Sequence, residues 1–538
     1  MFRQFIVSMM FVTGILFLFT NPLHAEDSRP NIVLIMADDM GYSDIGCYGG
    51  EHPTPNLDAL AEGGVRFTQF YNTGRCCPTR ASLMTGLYSH EAGIGHMVYS
   101  NRGPGYLGYL NDQCLTIAEV LQAVGYQTMM TGKWHVGHAE GQWPTDRGFE
   151  QFYGIHIHID SYFKVLGGCP VYHNGELAIP ATADPPNTLH PDEEWYTTDI
   201  FTDWALKFLD ESTVSEKPFF LYVAYNSPHW PLEAPDENVE HFQGTYDEGW
   251  DRLREERLAR MKEMGIVSPE SGLPPSGCPA WETLSDEQRE ELSFRRAIYA
   301  AQIERMDQNI GRIVDQLEQM NALEDTLILF LSDNGCSAEN GMFGWKADEN
   351  RIENFDQWRN QSGRSSSTGE AWAVASNTPF RRYKRWVHEG GISTPLIAHW
   401  PEGINDAGRL AHEPGHVVDV MATCRDLAGA AYPDTIDGRA IRPLQGESLT
   451  SVFAGRDVAT DRMIFWEHER HAAVRQGDWK LVTEDAADLN LWELYDMSVD
   501  RSETNDQSGV LPDRVESMRE AWISWAEQAD ALPFPGDR

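Results

Sequence analysis

Positive charge is scarce in this sequence. Its 538 residues carry 42 Lys and Arg against 82 Asp and Glu, a formal net charge of −40. So acidic a surface repels nucleic acid and anionic membranes, and neither is expected as a partner. It also repels small anions at long range, so any anion site must be locally cationic. The eight cysteines, at 47, 76, 77, 114, 169, 278, 336 and 424, form no C-x-x-C pair and show no zinc spacing. Low-complexity tracts and internal repeats are absent, which argues against a disordered chain or a repeat array. Past the N-terminus no apolar run is long enough to cross a bilayer, so stable membrane insertion is not expected.

The N-terminus does hold an apolar run. Arg3 precedes Phe5–Phe19, Asn21-Pro22 breaks the run, and Ala25 ends a segment resembling a cleavage site. Residues 1–25 therefore read as a signal peptide for the export machinery, and the mature chain is expected in the periplasm or outside the cell. An uncleaved anchor is the alternative, but the run is short for a span.

What remains is a globular chain with 41% hydrophobic residues. Four apolar runs end abruptly in polar residues. Asn31–Ala37 meets Asp38-Asp39, Tyr126–Thr131 meets Gly132-Lys133-Trp134-His135, Phe219–Tyr225 meets Asn226-Ser227-Pro228-His229, and Thr326–Ser332 meets Asp333-Asn334. Continuous apolar runs are what strands covered on both faces require. Helical patterns lie between them, at Leu115–Ala123, Asp199–Leu209 and Arg295–Gln319. The expected class is α/β: a large α/β/α sandwich around a mostly parallel sheet, residues 26–450. A smaller C-terminal α+β domain, residues 451–538, is expected to hold strands at 472–475, 479–482 and 494–495 and a helix at 514–529. Residues 235–295 read as an insertion with helical pieces, and 339–376 as a long loop. In open α/β sheets the site lies beyond the carboxyl ends of the strands. The pattern thus brings Asp38, Asp39, Lys133, His135, His229, Asp333 and Asn334 to one edge.

Asp38, Asp39, Asp333 and Asn334 offer only oxygen ligands, which favour Ca²⁺ or Mg²⁺ over zinc. Alone, an Asp-Asp pair is more often a turn or a cap. Alone, too, a lysine reads as a solvated charge and a histidine as a satisfied structural residue. Clustering at one edge changes that reading. Cys76 precedes Pro78, which suits the first turn of a helix expected to begin near it.

The segment Cys76-Cys77-Pro78-Thr79-Arg80-Ala81-Ser82-Leu83-Met84-Thr85-Gly86 resembles the C-x-P-x-R…T-G signature of type I sulfatases. Similarity to bacterial arylsulfatases of the alkaline phosphatase superfamily extends over nearly the whole mature chain, through Gly-Lys-Trp-His, Ser-Pro-His-Trp-Pro, Ser-Asp-Asn-Gly and Glu-Gly-Gly. The resemblance implies that Cys76 becomes 3-oxoalanine (formylglycine), made by a formylglycine-generating or an anaerobic sulfatase-maturating enzyme. It implies one Ca²⁺ on Asp38, Asp39, Asp333, Asn334 and the residue-76 oxygen. It assigns Arg80 and Lys133 to holding the formylglycine hydrate, His135 to orienting it, and His229 and Lys384 to the sulfate. His229 would protonate the leaving oxygen, and Asp333 would also serve as base. His90 and His96 are candidates for the pocket lining. The implied reaction releases sulfate from an aryl sulfate or a sulfated carbohydrate. A phosphomonoester or phosphonate monoester hydrolase on the same fold, and a non-catalytic binder of sulfated glycans, are the alternatives.

Overall fold

The computed structural model describes residues 29–535 except 100, 216, 345–366, 457 and 460. The expected signal peptide and most of the expected long loop lie outside the described residues. Among them, no helix is long and apolar enough to cross a membrane.

The four apolar runs are adjacent strands. Numbered along the chain, they are β1 (Asn31–Ala37), β3 (Gln127–Lys133), β7 (Phe219–Ala224) and β8 (Thr326–Ser332). They stand side by side as β8-β1-β7-β3, and each neighbouring pair is parallel. Beyond β3 the sheet continues with β4 (Gln151–Ile155), β5 (Val171–His173) and β6 (Glu176–Ile179). Beyond β8 it continues with β9 (Ser393–His399), β2 (Gly64–Tyr71) and β10 (Arg409–Ala411); the short β11 (Gly415–His416) also pairs with β2. β9 runs antiparallel to both β8 and β2, which makes the sheet mixed.

The strand composition follows from the layering. Val33, Ile35 and Ala37 of β1 join one hydrophobic core, and Ile32, Leu34 and Met36 join the other. Since successive side chains point to opposite faces, a strand covered by helices on both sides cannot alternate with polar residues. The 34-residue helix Asp286–Gln319 and the helix Thr197–Ser212 cover one face. Helices Cys76–Thr85, Ile117–Gln122 and Val418–Leu427 cover the other. The region 235–295 holds the helices Asp236–His241 and Gly249–Glu263 and the start of the long one. Within the expected loop 339–376, Glu370–Ser376 is instead a buried helix, because Trp372 and its alanines pack into the core.

After a two-stranded hairpin, β12 (Thr435–Ile436) and β13 (Arg439–Ala440), the chain forms a separate antiparallel sheet. Its strands are β14 (Met463–His468), β15 (His471–Gln476), β16 (Trp479–Thr483) and β17 (Glu493–Asp496). Ala472, Val474 and Leu481 face the closing helix Pro512–Gln528 through Met518 and Trp522. Ala473 and Val482 face Tyr71, Val387 and Ile392 of the large domain.

A buried ionic group ties the two parts together. Lys480 Nζ donates to Glu389 Oε1 at 2.9 Å and to Glu503 Oε1 at 2.8 Å, and Arg501 donates to Glu389 Oε2 at 3.1 Å. Burial would raise the Glu389 carboxyl, but Lys480 and then Arg501 hold it down to about 2. Its contribution to stability is therefore present above its ordinary 4.5 and fades as pH falls toward 2. Lys480→Met leaves two buried carboxylates with one fewer cation, so unfolding free energy at neutral pH should drop by ~3–5 kcal/mol. Urea titration measures this, and at pH near 2 the difference should shrink.

Candidate active site

The parallel order of β8, β1, β7 and β3 fixes the location of the site. Asp333-Asn334, Asp38-Asp39, His229 and Lys133-His135 leave the same sheet edge, as strand ends in one direction must. Cys76 reaches that edge from the helix Cys76–Thr85, whose first residue it is. The helix thus starts two residues before Pro78, and Pro78 sits at its third position. Arg75 stays extended and ends the preceding loop. All ten helix residues are buried. Gly86 ends the helix at φ 67°, where an added Cβ would lie 2.8 Å from Met421. Gly132, at φ 98°, would put a Cβ 2.0 Å from the Ala224 carbonyl, so Gly-Lys-Trp-His needs its glycine for β3 to approach β7. Asp39 and His135 also hold left-handed backbone, at φ 65° and 58°. Strain of this kind is retained where the surroundings dictate a side chain's direction.

The carboxylates and cations interlock. Lys133 Nζ donates to Asp38 Oδ2 at 2.5 Å. Arg80 donates twice to Asp333 Oδ2, at 2.8 and 3.2 Å, and lies 3.7 Å from Asp38. Lys384 Nζ is 2.9 Å from Asp39, and His229 Nε2 is 3.4 Å from the same carboxylate. Asn334 Nδ2 donates to Asp39 Oδ1 at 2.6 Å, and the Asp39 amide donates to Asp333 Oδ1 at 3.2 Å. All these side chains are buried. The predicted metal ligands and the predicted catalytic residues, Cys76 included, are therefore at one place.

Electrostatics follow from the crowding. Burial would raise the Asp38 carboxyl, but Lys133, His229 and Arg80 hold it well below the usual range. Burial and the Asp38 charge push Asp333 upward despite Arg80. Burial, then Lys133, keeps His135 neutral, down to about 3. Lys384 is raised despite burial, by Asp39 and Glu339.

The donor set suits a hard cation. Asp38 Oδ1 and Asn334 Oδ1 are buried acceptors with no hydrogen-bond partner. Lone acceptors among crowded carboxylates are what an oxygen-loving cation relieves. Oxygen atoms of Asp38 and Asp39 and a nitrogen of His229 also lie within 4.8 Å of one another.

Several residues at the site carry no sequence signal of their own. Glu339 lies 3.5 Å from Lys384 and 3.5 Å from Arg75, and accepts from the Trp230 indole. His229 Nδ1 meets the Trp230 carbonyl at 2.6 Å, which places its proton there and leaves Nε2 toward Asp39. Glu469, at the turn between β14 and β15, pairs with Arg75 at 3.0 Å and His96 at 3.1 Å and also with Arg385. His96 thus stands at the mouth. His90 does not: it is buried on Glu467 at 2.6 Å and packs on Trp525, a structural link to the closing helix. Among the described residues no two cysteines form a disulfide.

The sulfatase family model matches residues 30–430, more than half of the chain. The chain belongs to the sulfatase family. The model for the C-terminal part of N-sulphoglucosamine sulphohydrolase matches residues 381–514. An uncharacterized sulfatase of Schizosaccharomyces pombe is 32% identical over 546 residues, covering 95% of this chain and 96% of its own. An arylsulfatase of Klebsiella aerogenes is 34% identical over 442 residues, covering 80% and 93%. Among solved structures, Ps i-CgsB in complex with k-i-k-neocarrahexaose aligns with a TM-score of 0.66 at 25% identity, covering 93% of each chain. This sulfatase is accordingly a sulfuric ester hydrolase. Sulfatases generally use a formylglycine and a metal ion, and the residues at this sheet edge fit both.

Proposed function

We propose that the protein is an exported, Ca²⁺-dependent sulfatase that releases inorganic sulfate from sulfated carbohydrates and also accepts aryl sulfates. The observation that carries this reading is the joining of Cys76, four metal-type oxygen donors and five cationic or imidazole groups at the end of four parallel strands. Residues 1–25 support export. The carbohydrate-bound structural neighbour supports a sugar as the alcohol.

Asp38, Asp39, Asp333 and Asn334 would hold the cation, whose all-oxygen donor set favours calcium. When present, calcium supplies positive charge and the formylglycine made from Cys76 supplies a hydrated, nucleophilic oxygen. In the structure the Cys76 thiol stands in for that group. The chain's own residues do the rest. Arg80 is locked by Asp333 and the Lys133 carbonyl at 2.9 Å, so its charge is fixed before substrate arrives. Lys133 and His135 flank Cys76 on the β3 side and orient what is attached there. Lys384 and His229 share Asp39, so a sulfate oxygen brought beside that carboxylate finds two donors. His229, with Nδ1–H committed to the Trp230 carbonyl, would act as the imidazolium, carrying a second proton on Nε2 beside the Asp39 carboxylate and giving it to the leaving oxygen. Maturation would need a formylglycine-generating or anaerobic sulfatase-maturating enzyme, and export the secretion machinery.

The deciding experiment compares sulfate with phosphate. Chelated enzyme resupplied with Ca²⁺ should release sulfate from nitrophenyl sulfate and from sulfated oligosaccharides. Phosphate release from the matched phosphate ester should be slower, and Zn²⁺ should not replace Ca²⁺. Faster phosphate turnover would overturn the reading. His229→Asn should lower kcat by ~10²–10⁴-fold on a sugar sulfate, the usual worth of general acid help. The loss should be smaller on a nitrophenyl ester, whose leaving group needs no proton. Equal losses on both would remove His229 from the acid role.

A further inference from the structure

Cys77 has no part in this chemistry, yet it sits beside the residue that does. The sulfurs of Cys76 and Cys77 and a ring nitrogen of His135 all lie within 4.8 Å of one another. All three side chains are buried, with Cys77 fully so. Neither ring nitrogen of His135 meets an oxygen or nitrogen partner, and the polar group beside the ring is the Cys76 thiol. A buried imidazole with no partner but a thiol is unusual, and it lies against the two sulfurs.

We propose that the chain as translated, with residue 76 still a thiol, binds one zinc ion through Cys76, Cys77 and His135. The inference does not depend on which sulfate ester is the substrate. Thiolate and imidazole are zinc ligands, whereas the neighbouring donors on Asp38, Asp39, Asp333 and Asn334 are hard oxygens. Two cation sites of opposite preference thus adjoin. With Zn–S near 2.3 Å and Zn–N near 2.0–2.1 Å, tetrahedral ligands stand about 3.5–3.8 Å apart. From separations within 4.8 Å, the group therefore needs to tighten by about 1.3 Å at most. Charge is compatible as well. As two S–Zn bonds form, the two thiols lose their protons to solvent. Zn²⁺ and two thiolates then sum to zero, so nearby Lys133 and Arg75 do not repel the ion. Three protein ligands leave one position for water.

Oxidation of Cys76 to an aldehyde removes one of the two thiolates. The mature enzyme then keeps Cys77 and His135 alone, too few for a stable zinc site. Zinc and maturation compete for the same sulfur, and a zinc-loaded chain is a folded but unconvertible one. Cys77, at the variable second position of the motif, sets how strong that competition is.

The test uses Co²⁺ as a spectroscopic probe on the full chain, produced both without and with conversion of Cys76 and checked by mass spectrometry. Unconverted protein should bind one Co²⁺ with thiolate-to-cobalt charge-transfer absorption, and Zn²⁺ should abolish the band by displacement. Cys77→Ser and Cys76→Ser should each lose the band. Converted enzyme should lack it. Cys169→Ser should keep it, which separates this site from the other soft cluster, His158, Asp160 and Cys169. An absent band in unconverted protein, a band retained in Cys77→Ser, an equal band in converted enzyme, or a band that follows Cys169 each overturns the proposal. If Cys77→Ser fails to fold by circular dichroism, Cys76→Ser decides alone.

Discussion

Replacing Cys76 with Ala should lower turnover of every sulfate ester by ~10⁴–10⁶-fold, the range lost when a nucleophile that acts as part of a unit is removed. Serine should fare little better. Its single hydroxyl can form a sulfate ester but has no second hydroxyl whose collapse to a carbonyl expels sulfate. Substrate binding should change far less than kcat, because Arg80, Lys384 and His229 keep their own partners on Asp333 and Asp39. Kinetics of the purified variants measure the loss. Mass spectrometry of the Cys76 peptide from active wild-type enzyme tests its cause. An unmodified thiol in fully active protein would sink the formylglycine reading.

Asp38→Ala should damage both activity and folding. Lys133 Nζ lies 2.5 Å from Asp38 and Arg80 3.7 Å, and neither cation touches solvent. Removing the carboxylate leaves buried positive charge without its counterion, which costs ~3–5 kcal/mol in comparable buried pairs. Asp38 Oδ1 is also one of the two lone acceptors offered to the cation, so sulfatase activity should fall to background. Asp38→Asn keeps the shape and loses the charge, so it should be as inactive but less unstable. Urea denaturation of the three proteins checks the order. Unchanged stability in Asp38→Ala would mean that the cations do not need Asp38.

The site was readable in sequence for a physical reason. Strands buried on both faces admit no charged residue until they end, so each charged or polar pair after an apolar run marks a strand terminus. Parallel order then gathers those termini. The mouth was not readable. Arg75, Glu339 and Glu469 meet only through tertiary packing, and no local pattern predicts ion pairs across hundreds of residues. His90 and His96 looked alike in one short segment, and only packing separates the buried partner of Glu467 from the rim partner of Glu469. The start of the long helix was a missed signal. Ser285 and Gln288 form a capping box, a pattern visible in the sequence ten residues before the expected start. The helix Glu370–Ser376 follows a Gly/Ser-rich stretch whose composition outweighed its short apolar face.

The contact between Arg75 and Glu469 spans 394 residues. At ~5–20 residues per second the ribosome needs about 20–80 s to make that stretch. For that interval the hairpin carrying Glu469, which pairs with the residue before Cys76, has not been synthesised. The last-made domain therefore acts as a clock. Until then the pairing of Arg75 with Glu469 cannot restrain the segment that holds Cys76, and slow codons ahead of Met463 would lengthen the interval.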